Sequence, residues 1–416
     1  MARAFSPRGG RPFPADLGFP VSHHGAIGVF ALMPRIFDVA IVGAGPAGSA
    51  TAIALARSGY DVALIDKQIF PREKLCGDFV NPINWPTFRD LGVEERLLAQ
   101  PHTRVTGFRI TSYCGASAAA TFSQLNQNRS FGLGIRRAQL DHVLLQRAEE
   151  AGVTIRTGQR VKQISKHSKE WQLDMGAGES WRAKILVGAD GRNSWVAQQL
   201  GMNTRAAMRG RSIGFQTRIH GSGGTDGQIE IHLFPGGYAG LVGVGDGTAS
   251  LGLAIDKRIL PRVGVDEFLL TERLAKNPYL KSVLEPREKV DGFRAAYPVY
   301  FPKRRSFADA VVLVGDAARV TEPITGEGIC FAMRSGMLAA ETLDRALRQG
   351  DLSANYLRTY EQTCARTLRS RVLLNSLLRF AIYRPALVHP LIRWSARNNG
   401  LLGALVNAVC VPATVH

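Results

Sequence analysis

The sequence predicts an α/β protein: a Rossmann-like domain built on a parallel sheet, an antiparallel sheet of different construction, and a helical C-terminal region. Three observations carry this. A buried apolar run, Val39-Ala-Ile-Val42, leads directly into a G-x-G-x-x-G turn (Gly43, Gly45, Gly48) and then a helix. Between residues 211 and 256 the pattern changes to period-two alternation. Beyond residue 350 the chain reads as almost continuous helix.

The first element is the most specific. Gly43 permits a tight turn, Gly45 lets backbone approach a pyrophosphate, and Gly48 lets helix and strand pack closely. The pyrophosphate is expected against the helix N-terminus, beside Ala47. A second apolar run, Val62-Ala-Leu-Ile65, ends in Asp66, 18 residues beyond Gly48, where a carboxylate would hold ribose hydroxyls next to Lys67.

A loop over 67–82 and weak helical patterning near 84–99 follow. Arg137 opens a clear helix, with Leu140, Val143, Leu144 and Ala148 at helical spacing. Strand signals recur at 153–157, 160–164 and 184–189. Ile229, Ile231 and Leu233 then alternate with Glu230 and His232, and Leu251, Leu253 and Ile255 with small residues. Gly245-Asp246-Gly247 reads as the hairpin turn between these runs, giving an antiparallel sheet with one buried face. Residues 310–315 return to a buried parallel-type strand, and a helix follows from about 326.

Composition narrows the class. The chain is 45% hydrophobic and 21% charged, as a globular protein is. Cys76, Cys114, Cys330, Cys364 and Cys410 lie far apart, so a disulfide framework or a metal cluster is not expected and a reducing, cytoplasmic compartment fits. The net charge of +18 favours acidic substrates, anionic membranes or nucleic acid, but no nucleic-acid recognition module is present. Residues 1–35 hold Arg3, Arg8, Arg11 and Arg35 against Asp16 alone, with many Gly and Pro. They read as a disordered extension or a misassigned start, with Met33 just before the first strand.

Three further signals follow in order. Arg137 and Asp141 form R-x-x-L-D, in which the arginine can reach a phosphate or ribose. Asp190-Gly191 ends one buried strand and Gly315-Asp316 another, the latter followed by Pro323, Gly326 and Gly328. Asp316 is placed to accept from ribityl hydroxyls, and the Gly326–Gly328 turn to aim a helix N-terminus at the pyrimidine end of a reduced flavin. Taken singly, each aspartate also reads as a helix cap or turn residue.

In this order the motifs resemble the FAD-dependent oxidoreductases with the glutathione-reductase-type flavin fold, in the branch of the aromatic hydroxylases. The resemblance covers roughly residues 36–345. It implies one FAD, with its ring where the flavin domain meets the antiparallel sheet. The implied division is a discontinuous FAD-binding domain (36–76, 137–200 and 288–350), a substrate domain (77–136 and 201–287) and C-terminal helices (351–416).

Pro71-Arg-Glu-Lys74-Leu-Cys76-Gly77 is similar to the P-x-x-K-x-C-G loop of the geranylgeranyl reductase group, which lies near the flavin. Pro235-Gly-Gly-Tyr238-Ala-Gly240 is similar to that group's P-x-x-Y-x-W segment, with Gly240 in place of tryptophan. Cys76 reads either as a small buried hydrophobe or, with Arg72 and Lys74 lowering its pKa, as a thiolate or proton donor. Tyr238 reads as a pocket wall or as a catalytic group.

The resemblance implies reduction of a carbon–carbon double bond in a hydrophobic, isoprenoid-like or polyketide-like molecule. NADPH or another reductant would recharge the flavin. Hydroxylation by a flavin-dependent monooxygenase is the alternative, since both use one fold. A flavin-free prenyl-binding protein of the Rab escort type is a second alternative, against which the intact Asp-Gly and Gly-Asp motifs stand. Halogenation is more distant, because the W-x-W-x-I-P segment of the flavin halogenases is missing.

The arginines from Arg358 to Arg397 stand among apolar runs that Pro385 and Pro390 divide into short helices. They suit peripheral contact with an anionic membrane or a helical lid over the flavin domain. A monomer or weak oligomer is expected.

Overall fold

A computed structural model describes residues 35–122, 130–203, 212–221, 227–285, 288–301 and 303–410. The expected N-terminal extension therefore lies outside the described residues, apart from Arg35.

An 8-stranded sheet places Ile36–Val42 between Val62–Ile65 and Glu179–Gly188, with Thr154–Arg156 beyond the former and Val311–Leu313 beyond the latter. These neighbours all pair in parallel. Their registers bring Val42 opposite both Ile65 and Gly188, and Gly188 opposite Leu313. The carboxyl ends of four strands therefore share one edge, where the chain leaves the sheet at Gly43, Asp66, Ala189 and Val314. Strand order reverses at this point, the chain building outward on both sides of Ile36–Val42, and such a switch point is where open α/β sheets bind ligands. Both faces are covered: Val39 and Ile41 enter one core, Ala40 and Val42 the other. That is why these strands read as continuous apolar runs.

A 7-stranded sheet has the order Arg294–Ala296, Ser212–His220, Thr248–Asp256, Gly237–Gly243, Gln228–Phe234, Gly107–Thr111 and Ser117–Thr121. All neighbours are antiparallel except Gln228–Phe234 with Gly107–Thr111. Two expectations need correction. The Gly245–Gly247 turn joins Thr248–Asp256 to Gly237–Gly243, a strand whose glycines hid its alternation. In addition, both faces of the sheet are buried. Ile229, Ile231 and Val242 pack toward the C-terminal helices, while Phe215, Leu241 and Leu251 pack with Leu269, Leu274 and Leu280. Glu230 and His232 are buried instead of solvated because they satisfy each other and their neighbours. His232 lies 3.1 Å from Glu230 and 2.8 Å from the Thr111 hydroxyl, which also accepts from Asn277 at 2.9 Å.

Gly328–Gln349 runs from the shared edge and packs on the glycine-turn helix, Pro46–Arg57. Four helices follow: Ala354–Thr367, Arg369–Ile382, Pro385–Arg397 and Asn399–Cys410. Pro385 opens its helix, as expected, but Pro390 lies inside the same helix and does not divide it. Ile382, Val388, Ile392, Leu402 and Val406 close over the second sheet, so this region roofs the space between the sheets.

Candidate active site

The glycine turn is held before any ligand arrives. Gly43 N donates to Ile65 O at 2.7 Å, and Ala44 N to Asp66 Oδ2 at 2.8 Å. Gly43 has φ +109°, and a Cβ there would lie 2.4 Å from Ala189 O. A Cβ on Gly48 would lie 1.8 Å from Gly43 O, so both glycines are demanded by the protein's own backbone. Gly45 differs. A Cβ there would meet only Arg72 Nη2, at 3.5 Å, and would otherwise project into a cavity. The backbone thus leaves room in front of the helix N-terminus, the cradle that a pyrophosphate requires. Ala47 closes its far side, close to Gly315. Asp66 also accepts from Gln68 N at 2.9 Å, and its oxygens keep further acceptor capacity at the cavity wall beside the exposed Lys67.

The two aspartates that looked alike in the sequence part company. Asp190 accepts from Ser194 Oγ at 2.5 Å, Trp195 N at 2.6 Å and Val196 N at 3.0 Å, and so caps the short helix Trp195–Gln199. It shapes the turn, and Gly191, at φ +84°, lies on the cavity wall. Asp316 stays partly exposed at the cavity, with Arg192 Nη2 at 3.9 Å, and is the aspartate open to ligand hydroxyls. Gly315 is anchored by Ser335 Oγ at 2.9 Å. Gly326 ends a short turn in the left-handed region, and Gly328 starts the long helix at the same cavity.

Arg137 is buried and bonded to Asp141 through Nε and Nη2, both at 2.8 Å, while Arg72 Nη1 lies 3.0 Å from the same carboxylate. Asp141 thereby aims two guanidinium groups at the cavity. Burial opposes the Arg137 charge, but Asp141 and Cys76 together favour it, and its pKa is raised. Sequence reasoning missed the full extent of this cationic cluster. Lys74 stands behind Gly191, and burial together with Arg192, Arg137 and Arg72 pushes its pKa down to about 8. Arg72 and Lys74 had been weighed only for their effect on Cys76; their crowding in one loop was the available signal.

Cys76 lines the cavity, half-buried, with its backbone N donating to Gln216 Oε1 at 3.1 Å. The expected lowering of its pKa is corrected: burial pushes the thiol up and outweighs the Arg137 charge, so the group remains protonated near neutral pH. Asp78 supports the loop in an arrangement that the sequence did not announce. It accepts from Arg137 N at 3.1 Å and Gln216 Nε2 at 2.7 Å, and burial raises its pKa to about 6. Tyr238 is buried, donates to Glu322 Oε1 at 2.7 Å, and has its pKa raised by burial and by that carboxylate. Its ring forms wall, and its hydroxyl is committed to Glu322.

These groups share one cavity of about 740 Å³. It begins at Gly45 and Asp66, passes the Arg72–Gly77 loop and Asp316, and ends among Ile110, Phe122, Ile231, Ile382, Val388 and Ile392. One end is cationic and rich in backbone donors; the other is hydrocarbon.

Residues 37–219 match the FAD binding domain family. The chain is 30% identical over 356 residues to digeranylgeranylglycerophospholipid reductase 1 of Methanothermobacter thermautotrophicus, covering 80% of this chain and 83% of that protein. It is 29% identical over 336 residues to a menaquinone reductase of Mycobacterium tuberculosis, covering 74% and 76%. It is also 29% identical over 346 residues to conditioned medium factor receptor 1 of Dictyostelium discoideum, covering 78% and 67%. The chain belongs to the geranylgeranyl reductase family of FAD-dependent oxidoreductases. A flavoprotein/dehydrogenase structure from Cytophaga hutchinsonii shares the fold, with a TM-score of 0.78 over 90% of this chain and 93% of that one at 18% identity.

The donor set fits FAD. The Gly45 cradle and the cationic cluster suit the pyrophosphate, Asp66 the adenosine ribose, Asp316 the ribityl chain, and the N-terminus at Gly328 the pyrimidine end of the ring. Among the described residues no group of His, Cys, Asp and Glu is placed to hold a metal ion.

Proposed function

We propose that this oxidoreductase saturates carbon–carbon double bonds in the isoprenoid chain of a lipid, with NADPH or another reductant as electron donor. The observation that carries the reading is the continuity of the cavity. The Gly45 cradle and the apolar chamber between the second sheet and the C-terminal helices form one space, whose far end offers hydrocarbon contacts to a chain and few polar ones. When bound and reduced, FAD supplies a hydride equivalent.

The protein's own groups supply the rest. The chamber aligns the chain and excludes water. Cys76, held protonated by burial at the junction of the two ends, delivers a proton to the carbon that does not receive the hydride. Arg137 stabilises the thiolate left behind, which regains its proton from solvent. Gln216 and Asp78 hold the loop that presents the thiol.

The test is anaerobic turnover of the reduced holoprotein with a geranylgeranyl lipid, followed by mass spectrometry. The product should gain two hydrogens per double bond. Label from isotopic oxygen in a product formed under air, with no saturated product, would overturn the reading in favour of hydroxylation.

A further inference from the structure

The C-terminal helices that roof the chamber also face outward. On Arg369–Ile382, Leu373, Leu377 and Phe380 recur at i, i+4 and i+7; on Pro385–Arg397, Leu387, Leu391 and Trp394 repeat the spacing. All six are 47% to 60% exposed. Such spacing places each trio on one side of its helix. The inward faces carry Ile382, Val388 and Ile392, which pack under the roof. Two adjoining apolar stripes on the outside are more than the scattered surface hydrophobes of an ordinary monomer.

Charge surrounds these stripes. The sequence holds no acidic residue from Gln362 to His416, while Arg366, Arg369, Arg384, Arg393 and Arg397 are all exposed. Two other arginines serve inside: Arg371 pairs with buried Glu327 at 2.5 Å, and Arg379 lies 3.3 Å from buried Glu322. The outward set has a different orientation and no structural carboxylate of its own segment to meet. One stripe residue has a double position: Leu391 is 48% exposed and also lines the chamber. The stripes and the chamber wall therefore meet at Leu391.

We propose that this face docks on an anionic lipid bilayer, and that the chamber opens at Leu391 inside the docked area, so that a lipid chain passes from bilayer to chamber without crossing water. The second half rests on the lipid reading given above; the docking itself does not. Charge complementarity selects the occupant. A second copy pressed face to face would bring arginines against arginines, with no acid on either side to offset them. An anionic bilayer meets both features, headgroups against the arginines and acyl chains against the stripes. Among the described residues no helix is long and apolar enough to cross a membrane, so the contact is interfacial.

The test uses the full chain with bound FAD and vesicles of phosphatidylcholine, with or without phosphatidylglycerol. Cosedimentation should be strong with phosphatidylglycerol, weak without it, and reduced by salt. Trp394 emission should shift to shorter wavelength on binding, and Trp394→Phe should remove that shift, because the other four tryptophans lie elsewhere: Trp85 and Trp171 are buried, and Trp181 and Trp195 pack on the core of the first sheet. Leu377, Phe380 and Leu387 do not line the chamber. Changing all three to Glu should weaken vesicle binding by at least about 1,000-fold, since each buried apolar side chain is worth about tenfold or more. Circular dichroism and FAD content should be unchanged.

Equal binding of the triple variant, or no preference for phosphatidylglycerol, would overturn the proposal. So would a dimer in solution that the triple variant dissolves while vesicles fail to bind the original chain. Binding is read without turnover, so a negative result here leaves the reductase reading intact, and a failed reduction leaves docking intact.

Discussion

Replacing Gly45 with valine separates folding from cofactor binding. Gly45 sits at the N-cap of Pro46–Arg57 with φ −76° and ψ −177°, a conformation open to any residue. Its added Cβ meets only the tip of Arg72, at 3.5 Å. Without FAD the substitution should therefore lose only about 1 kcal/mol, the preference for glycine over valine at an N-cap. With FAD the same side chain occupies the space where a pyrophosphate must approach the helix N-terminus. Losing two charge-assisted hydrogen bonds of about 1.5–3 kcal/mol each weakens binding by roughly 10²–10⁴-fold. The assay pairs a denaturant titration of the apoprotein with an FAD titration followed by flavin fluorescence. Gly48→Ala is the contrast: its Cβ would fall 1.8 Å from Gly43 O, so the apoprotein itself should unfold. FAD affinity within threefold of the original in Gly45→Val would refute the placement of the pyrophosphate.

Cys76→Ala should retain FAD but lose roughly 10²–10⁴-fold in the rate of double-bond reduction; unchanged single-turnover rates would return the thiol to a packing role. Lys74, with its pKa near 8 before an anion arrives, must be protonated to attract one. FAD affinity should therefore fall as pH rises through about 8, and Lys74→Met should weaken binding and flatten that profile, both readable by titration at several pH values. Arg371→Met should destabilise the protein by about 3–5 kcal/mol by stranding buried Glu327, and adding Glu327→Gln should restore much of the loss in urea unfolding. The Arg371→Met loss should be smaller at acidic pH, because burial already raises the Glu327 pKa and protonation removes the stranded charge.

What the sequence disclosed follows from the range of the interactions. The glycine turn and Asp66 were legible because turn, helix start and acid are local, and each residue type has its own steric reason. The shared strand edge was legible because the strands are buried on both faces. Asp190 and Asp316 could not be told apart, since each stands beside a glycine just past a buried strand; only Ser194 and the amides of Trp195 and Val196 decide that Asp190 is a cap. Glu230 and His232 looked solvated because alternation cannot show that Arg109 and Thr111, far off in the chain, meet them. The basic loop was visible, but the direction of its effect on Cys76 was not, because desolvation depends on tertiary burial. The C-terminal helices disclosed their arginines, their apolar runs and a candidate lid over the flavin domain, but not that the apolar face packs over the second sheet.

The central claim is that the FAD cradle and the apolar chamber are one working site. The most direct measurement is a single-turnover experiment without oxygen: reduced holoprotein is mixed with a geranylgeranyl lipid, and oxidised-flavin absorbance is followed in time. The account predicts recovery of that absorbance with the unsaturated lipid and none with its fully saturated counterpart, at a rate that Cys76→Ala lowers. Flavin that stays reduced in the presence of the unsaturated lipid would contradict it.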